Sequence, residues 1–216
     1  MSLELDHVFI LVEPHAKVAD LLLEFGLEEG FSRDHPGQGT SNRRFTFANG
    51  LLEFLWLRDS LEAEQGPGSA LFFKERFESQ CFESQEASPF GLVLNRTQVL
   101  TGMPFDGWSY QPDYFKTPMA FHVGANSSEL SEPLCIYVPF MTPPERPVDD
   151  APFRTITQVT IHTPNAKSSQ VLKSANKADR LCFVACEQHL MELTLDEHQL
   201  NKSKDFRPNI PLIIHY

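Results

Sequence analysis

Two alternating apolar runs, residues 43–48 and 51–57, are joined by Asn49-Gly50. That dipeptide between such runs is the strongest short-range hairpin signal a sequence carries. It fixes an antiparallel strand pair, and the residues before it say what the pair must serve. Residues 3–12 alternate, with Leu5, His7, Phe9 and Leu11 on one face and Val8, Ile10 and Val12 on the other. Both faces are largely apolar, so this strand needs cover on each side. Pro14 then opens a helix where its missing N–H does no harm. Val18, Leu21, Leu22 and Phe25 recur at helical spacing, and Gly26 is placed to close the helix. With an extended stretch over 31–39, the order is β-α-β-β-β.

The same grammar recurs twice. A Gly/Pro break and a helix over 69–77 precede strands at 90–94, 119–123 and 134–140. Between them lies a stretch with Pro104, Trp108, Tyr110, Pro112 and Tyr114, which reads as a long ordered loop in place of a helix. A Pro-rich linker over 142–152 leads to a strand at 155–162, a helix at 168–175, and strands at 181–186, 190–195 and 211–215. The expectation is an α+β fold of repeated βαβββ modules. Residues 1–141 form one domain of two modules, 1–60 and a degenerate 89–141. Residues 153–216 form a third, module-like unit, either packed on that domain or pairing with its first module.

With 216 residues, 41% of them hydrophobic, the chain can bury a real core. The net charge of −11 weighs against nucleic acid, because the only dense basic spots are Arg43-Arg44 and the Lys202/Lys204 stretch. Neither a P-loop nor a G-x-G-x-x-G fingerprint is present, so no nucleotide cofactor is expected, and the G-x-S-x-G elbow is missing too. No apolar run approaches the roughly 20 residues that span a bilayer, and the first residues lack a secretory pattern. A cytoplasmic protein with no membrane partner is expected. Cys81, Cys135, Cys182 and Cys186 form no CxxC pair and read as free thiols, although Cys182 and Cys186 share a strand face that leaves a bridge open.

Two residues break the apolar pattern of the first module. His7 shares its face with Leu5, Phe9 and Leu11, and Glu53 shares its face with Leu51, Leu55 and Leu57. An ionised carboxylate on an apolar face is costly unless it is paired, hydrogen-bonded or metal-bound. The plainer reading puts Glu53 at a solvated rim, or joins it to His7 for structure alone. The loop from His35 to Asn42 is the second constellation. Its glycines let backbone approach a ligand, His35 offers an acid or base, and Thr40 and Asn42 add a hydroxyl and an amide. The same residue types also make ordinary turns. His122 reads as a core histidine, and His162 and His189 as surface or turn residues.

Leu5-Asp6-His7-Val8, the run His35-Pro36-Gly37-Gln38-Gly39-Thr40-Ser41-Asn42-Arg43, and Leu51-Leu52-Glu53-Phe54-Leu55 together resemble the glyoxalase-like branch of the vicinal-oxygen-chelate superfamily, most specifically over 3–58. The resemblance implies modules paired into a curved mixed sheet around a cup. In metal-dependent members each module gives one ligand from its first strand and one from its last. Carried over, His7 and Glu53 are the ligands of the first module, for Zn, Fe, Mn, Ni or Co. If the first module pairs with its sequence neighbour, the remaining positions are Leu92 and Tyr137. If it pairs with the C-terminal unit, they are Gln158 and His215, which complete a quartet. Glu53 and His35 are the expected catalytic residues, and Thr40, Asn42, Arg43 and Tyr137 the expected substrate contacts. The activity implied is isomerase, lyase or dioxygenase chemistry on a small oxygen-bearing metabolite. The alternative is a metal-free protein that binds or sequesters a small molecule. The family frequently dimerises, so a homodimer is expected.

Overall fold

The first strand forms as expected, and the rest of the chain is arranged around it. The computed structural model describes residues 3–81, 86–96, 102–140, 151–166 and 168–216. β1 (Leu3–Leu11) is followed by a 3-10 turn at Pro14–Ala19 and by α1 (Asp20–Phe25), so the expected helix is split in two. The 3-10 turn is itself kinked at His15 and Ala16, whose φ angles are 68° and 46°. β2 (Arg33–His35), β3 (Thr40–Phe47) and β4 (Gly50–Leu57) complete the first module.

The β3–β4 hairpin is present but displaced by one residue from its sequence signal. Phe47 pairs with Gly50, so the loop is Ala48-Asn49 and Gly50 already belongs to the strand. Neither Ala48 nor Asn49 has a positive φ, so the primed turn usual for Asn-Gly is not used. The cause is tertiary. The Asn49 side chain accepts from Ile156 N at 2.9 Å and donates to Ile156 O at 2.8 Å, which docks the loop on the C-terminal unit.

A helix not read from the sequence follows: α2 (Ser60–Gln65), capped by Asp59, which accepts from Glu62 N. The helix expected over 69–77 is broken at Phe72 (φ 57°), leaving a 3-10 turn at Ser69–Leu71 and α3 (Phe73–Cys81). The second module supplies β5 (Phe90–Arg96), β6 (Gly107–Tyr110), β7 (Phe121–Gly124) and β8 (Leu134–Tyr137). β6 lies in the stretch read as loop.

These strands form one curved, mixed, eight-stranded sheet in the order β2-β3-β4-β1-β5-β8-β7-β6. β1 runs parallel to β4, β5 runs parallel to β8, and β1 and β5 meet antiparallel at the centre. The first module therefore pairs with its sequence neighbour, in the arrangement the vicinal-oxygen-chelate resemblance implies.

The remaining strands make a second sheet. β9 (Ile156–Thr163), α4 (Gln170–Ala175), β10 (Leu181–Ala185), β11 (Leu190–Leu195), β12 (Ser203–Asp205) and β13 (Leu212–His215) give the order β10-β9-β11-β13-β12. No strand ladder joins it to the first sheet among the described residues. It packs face to face on that sheet, where Val8, Ile10, Phe54 and Leu92 share a core with Val159, Ile161, Leu193 and Ile214. Arg180 seals the seam by donating to Leu5 O at 2.7 Å. The linker expected over 142–152 lies, up to residue 150, outside the described residues.

The opposite face of the large sheet carries His7. Here Phe9, Leu11, Val93 and Ile136 are covered by Leu71, Phe73 and Phe77 from the 69–81 segment and by Tyr110. Gly91 lies under Phe9, where a Cβ would come within 1.9 Å of Phe9 Cζ, so only glycine admits the ring. Arg76 of α3 is fully buried and holds the loop between β7 and β8. Its guanidinium donates to the carbonyls of Ser127, Glu129, Leu130 and Glu132. Cys135, Cys182 and Cys186 are free thiols. No helix among the described residues is long and apolar enough to cross a membrane.

Candidate functional site

Successive residues of a regular strand point to opposite faces, so Asp6 and His7 would ordinarily be separated by the sheet. A register shift in the β1–β5 pairing between Leu5 and His7 makes Asp6 the extra residue of a bulge. As a result the Asp6 carboxylate reaches its own neighbour, with Oδ1 2.5 Å from His7 Nδ1, and its other oxygen accepts from Asn95 Nδ2 at 2.9 Å. The other ring nitrogen of His7, Nε2, lies 3.8 Å from Glu53 Oε2 on β4.

Glu53 is buried, and Asn42 Nδ2 donates to its Oε1 at 3.0 Å. Asn42 is completely buried and is itself fixed by accepting from Arg33 N at 2.9 Å. Strand alternation puts Thr40, Asn42 and Arg44 on the same face, with Arg44 directly opposite Glu53. His35, opposite Thr40 on β2, brings its Nδ1 within 3.1 Å of Thr40 Oγ1. Burial pulls His35 down to about 4, against the raising effect of Glu53, so at neutral pH it is an uncharged donor and acceptor.

The turn before Thr40 depends on Gly39. Its φ is 69°, and a Cβ there would come within 2.3 Å of Asp59 O. Above the site stands Tyr114, whose hydroxyl accepts from Gln38 Nε2 at 3.0 Å. Its ring lies 6.2 Å from that of His35 and 5.3 Å from the Arg33 guanidinium carbon. Burial raises the Tyr114 hydroxyl well above its ordinary value, so it stays protonated.

The structure thus gathers His7, Glu53, His35, Thr40 and Asn42 into one polar patch. Four other expected site residues lie elsewhere. Arg43 points to the opposite face, where Glu29, Asp20 and Ala16 O hold its guanidinium and tie β3 to the α1 segment. Tyr137 and Leu92 also face the opposite side, in the core shared with the second sheet. The alternation is offset by one residue from the positions that the resemblance implies. The β5 and β8 positions on the His7 face are Gly91, Val93, Asn95, Leu134 and Ile136. Gln158 and His215 belong to the second sheet, where Gln158 donates to Val159 O and His215 contacts Glu192 and Ser203. The quartet with His7 and Glu53 is not assembled, because the C-terminal unit makes its own sheet.

Asp6 and Asn95 were missed by sequence reasoning. A bulge leaves no compositional mark, and Asn95 reaches the site only through the fold. His122 is a buried histidine whose Nε2 is 2.8 Å from Phe105 O.

The donor set does not fit a metal centre. Gly91, Val93, Leu134 and Ile136, which β5 and β8 turn to this face, cannot ligate, leaving two ligands where a catalytic zinc site has three. Among the described residues, no group of three or more His, Cys, Asp or Glu is placed to hold a metal ion. An oxygen atom fits better. At roughly 2.8 Å from His7 Nε2 and from Glu53 Oε2 it would subtend about 85°, within hydrogen-bond reach of both.

No protein-family model and no curated protein sequence matches this chain. Among solved structures, a hypothetical protein from Staphylococcus aureus is 12% identical over 98% of both chains, with a TM-score of 0.57. The likeness spans both sheets and is one of fold. Hypothetical protein BH1468 from Bacillus halodurans C-125 is 13% identical over 68% of this chain and 100% of its own, with a TM-score of 0.43. A methylmalonyl-CoA epimerase in complex with methylmalonyl-CoA and NH4+ is 11% identical over 64% of this chain and 94% of its own, with a TM-score of 0.38.

Proposed function

We propose that this chain binds a small oxygen-bearing metabolite between His7 and Glu53 and moves a proton there, with no step through a metal. The observation that carries this reading is the 3.8 Å gap between His7 Nε2 and Glu53 Oε2, with each side chain anchored from behind. A carboxylate only accepts hydrogen bonds, so Asp6 requires the hydrogen of a neutral His7 ring on Nδ1. Nε2 is then a lone-pair base facing a second base. A ligand hydroxyl, or an acidic C–H beside a carbonyl, entering the gap meets two proton acceptors on opposite sides. Asn42 fixes the Glu53 oxygens, and neutral His35 with Thr40 provides further hydrogen-bonding groups beside them.

The test reads proton abstraction without presuming the overall reaction. The full-length protein is incubated in D2O with a panel of 2-oxo acids, 2-hydroxy acids and hydroxyketones, and deuterium entering the carbon next to the carbonyl or hydroxyl is followed by NMR. The expected result is exchange by wild type for at least one compound, reduced about 100-fold or more in His7→Ala and Glu53→Gln. No exchange with any compound overturns the catalytic reading.

The non-ligating Gly91, Val93, Leu134 and Ile136 on the second module's half of the face support a second reading, a metal-free protein that sequesters its ligand. Saturable binding without exchange, abolished in Glu53→Gln, is its signature.

A further inference from the structure

A second polar cluster lies on the five-stranded sheet, on the face turned away from the shared core, and the His7–Glu53 site makes no use of it. Strands β9, β11 and β13 lie side by side and present His162, Glu192 and His215 there. Glu192 Oε2 is 3.1 Å from His215 Nε2, and His215 Nδ1 is 2.7 Å from Ser203 Oγ on the neighbouring β12. The other Glu192 oxygen lies 3.0 Å from His162 Nε2, at ion-pair distance but not in hydrogen-bond alignment.

The hydrogen positions follow from what each group can do. Glu192 accepts only, so Nε2 of a neutral His215 ring carries the hydrogen and Nδ1 carries a lone pair. Ser203 must then be the donor to Nδ1. Hydroxyl, imidazole and carboxylate stand in line with the polarity of a base-activated nucleophile.

The backbone adds two features. Lys202 and Tyr216 exchange both of their N–H···O bonds, at 2.9 and 2.8 Å, so Ser203 and His215 form the next, non-hydrogen-bonded pair. Side chains approach most closely at such a pair. Because β12 is an edge strand, the Ser203 N–H points outward beside its own Oγ, where it can meet a developing oxyanion. The turn leading into β12 is strained, since Asp196, Glu197 and His198 have φ of 47°, 57° and 56°. It brings the His198 ring to 5.6 Å from that of His215.

We propose that Ser203, activated by His215 and Glu192, is a nucleophile that takes the acyl group of small activated esters. Ser203 Oγ bonds to the carbonyl carbon while its proton passes to His215 Nδ1. The carbon–oxygen bond to the leaving alcohol then breaks, and His215 returns the proton to that oxygen. Water cleaves the acyl-serine in the same way, releasing the acid and restoring Ser203. The exposure of Ser203 restricts this chemistry to small, reactive electrophiles.

The test treats the full-length protein with a fluorophosphonate probe, in which Oγ forms a P–O bond and fluoride leaves, and locates the adduct by peptide mapping. The expected result is one adduct, on Ser203, absent in Ser203→Ala and formed about 100-fold more slowly in His215→Asn. In wild type the labelling rate should rise with pH, and Glu192→Gln should move that profile. Circular dichroism establishes that each variant is folded. A folded wild type that takes no label, a label on another residue, or an unchanged rate in folded His215→Asn overturns the proposal. If Ser203→Ala fails to fold, the wild-type peptide map and pH profile still decide.

Discussion

Replacing Arg76 with methionine keeps a long side chain in the same space and removes every donor from it. Two of the four carbonyls that Arg76 serves, those of Ser127 and Glu132, receive bonds that are fully buried, at 3.1 and 2.9 Å. A buried acceptor without a partner costs about 1–3 kcal/mol, so this pair contributes roughly 2–6 kcal/mol. The bonds to Leu130 and Glu129, at 3.1 and 3.3 Å, are only partly buried. Water can replace them, at about 0.5 kcal/mol each. Removing a buried guanidinium also recovers the cost of having desolvated it, the effect that pulls Arg76 down to about 10. Against that, the buried Glu132 loses a nearby cation. The net expectation is a destabilisation of about 3–5 kcal/mol, a large share of the roughly 5–15 kcal/mol typical of a folded protein. Urea unfolding followed by circular dichroism measures it, with the denaturant slope checked for constancy. Arg76→Lys, with three donors, should recover about half. A loss below about 1 kcal/mol in Arg76→Met would show that the loop holds its own carbonyls and that the buried fork is dispensable.

Other consequences are as open to measurement. Burial holds His35 at about 4, below its ordinary 6.5, so between those values the unfolded chain binds a proton that the folded one does not. Its contribution is complete above pH 6.5 and is lost as pH falls toward 4, a swing of about 3 kcal/mol. Urea midpoints should therefore fall over this range, and His35→Gln should flatten the fall; an identical slope in the variant refutes the assignment. Asn42→Ala strands both Glu53 Oε1 and Arg33 N, and should cost about 2–4 kcal/mol in urea unfolding together with any deuterium exchange the site supports. Tyr137→Phe alters a side chain on the far face, so ligand affinity and exchange at the His7 site should be unchanged; a tenfold change in either would place its hydroxyl at the site.

Strand alternation was the most legible level of this chain. It located β1, β3, β4, β5 and β11, and it singled out His7 and Glu53, which the fold brings to 3.8 Å. What alternation lacks is any mark of the irregularities that complete the site. The bulge at Asp6 turns an adjacent pair into a hydrogen-bonded dyad, and nothing in Leu5-Asp6-His7 announces it. The same blindness to a one-residue offset placed Tyr137 on the wrong face of β8. Short elements were lost for another reason. β6 and β12 have four and three residues, too few for a periodicity, and exist because a neighbouring strand offers them a ladder. The Asn49-Gly50 signal named the right hairpin and the wrong loop, because docking onto Ile156 outweighed the local preference of the dipeptide.

The central pairing of the large sheet has a consequence for biosynthesis. Phe9 meets Gly91 across β1 and β5, so the innermost strand of the fold receives its partner 82 positions later (91 minus 9). At a synthesis rate of about 5–20 residues per second, the nascent chain carries β1 for roughly 4–16 s before that partner has been made. During that interval the first module can form, but one edge of β1 and the Phe9 and Leu11 side chains stay uncovered. This emerging half-sheet is where a ribosome-associated chaperone has most to protect, and a pause before residue 90 would lengthen its exposure.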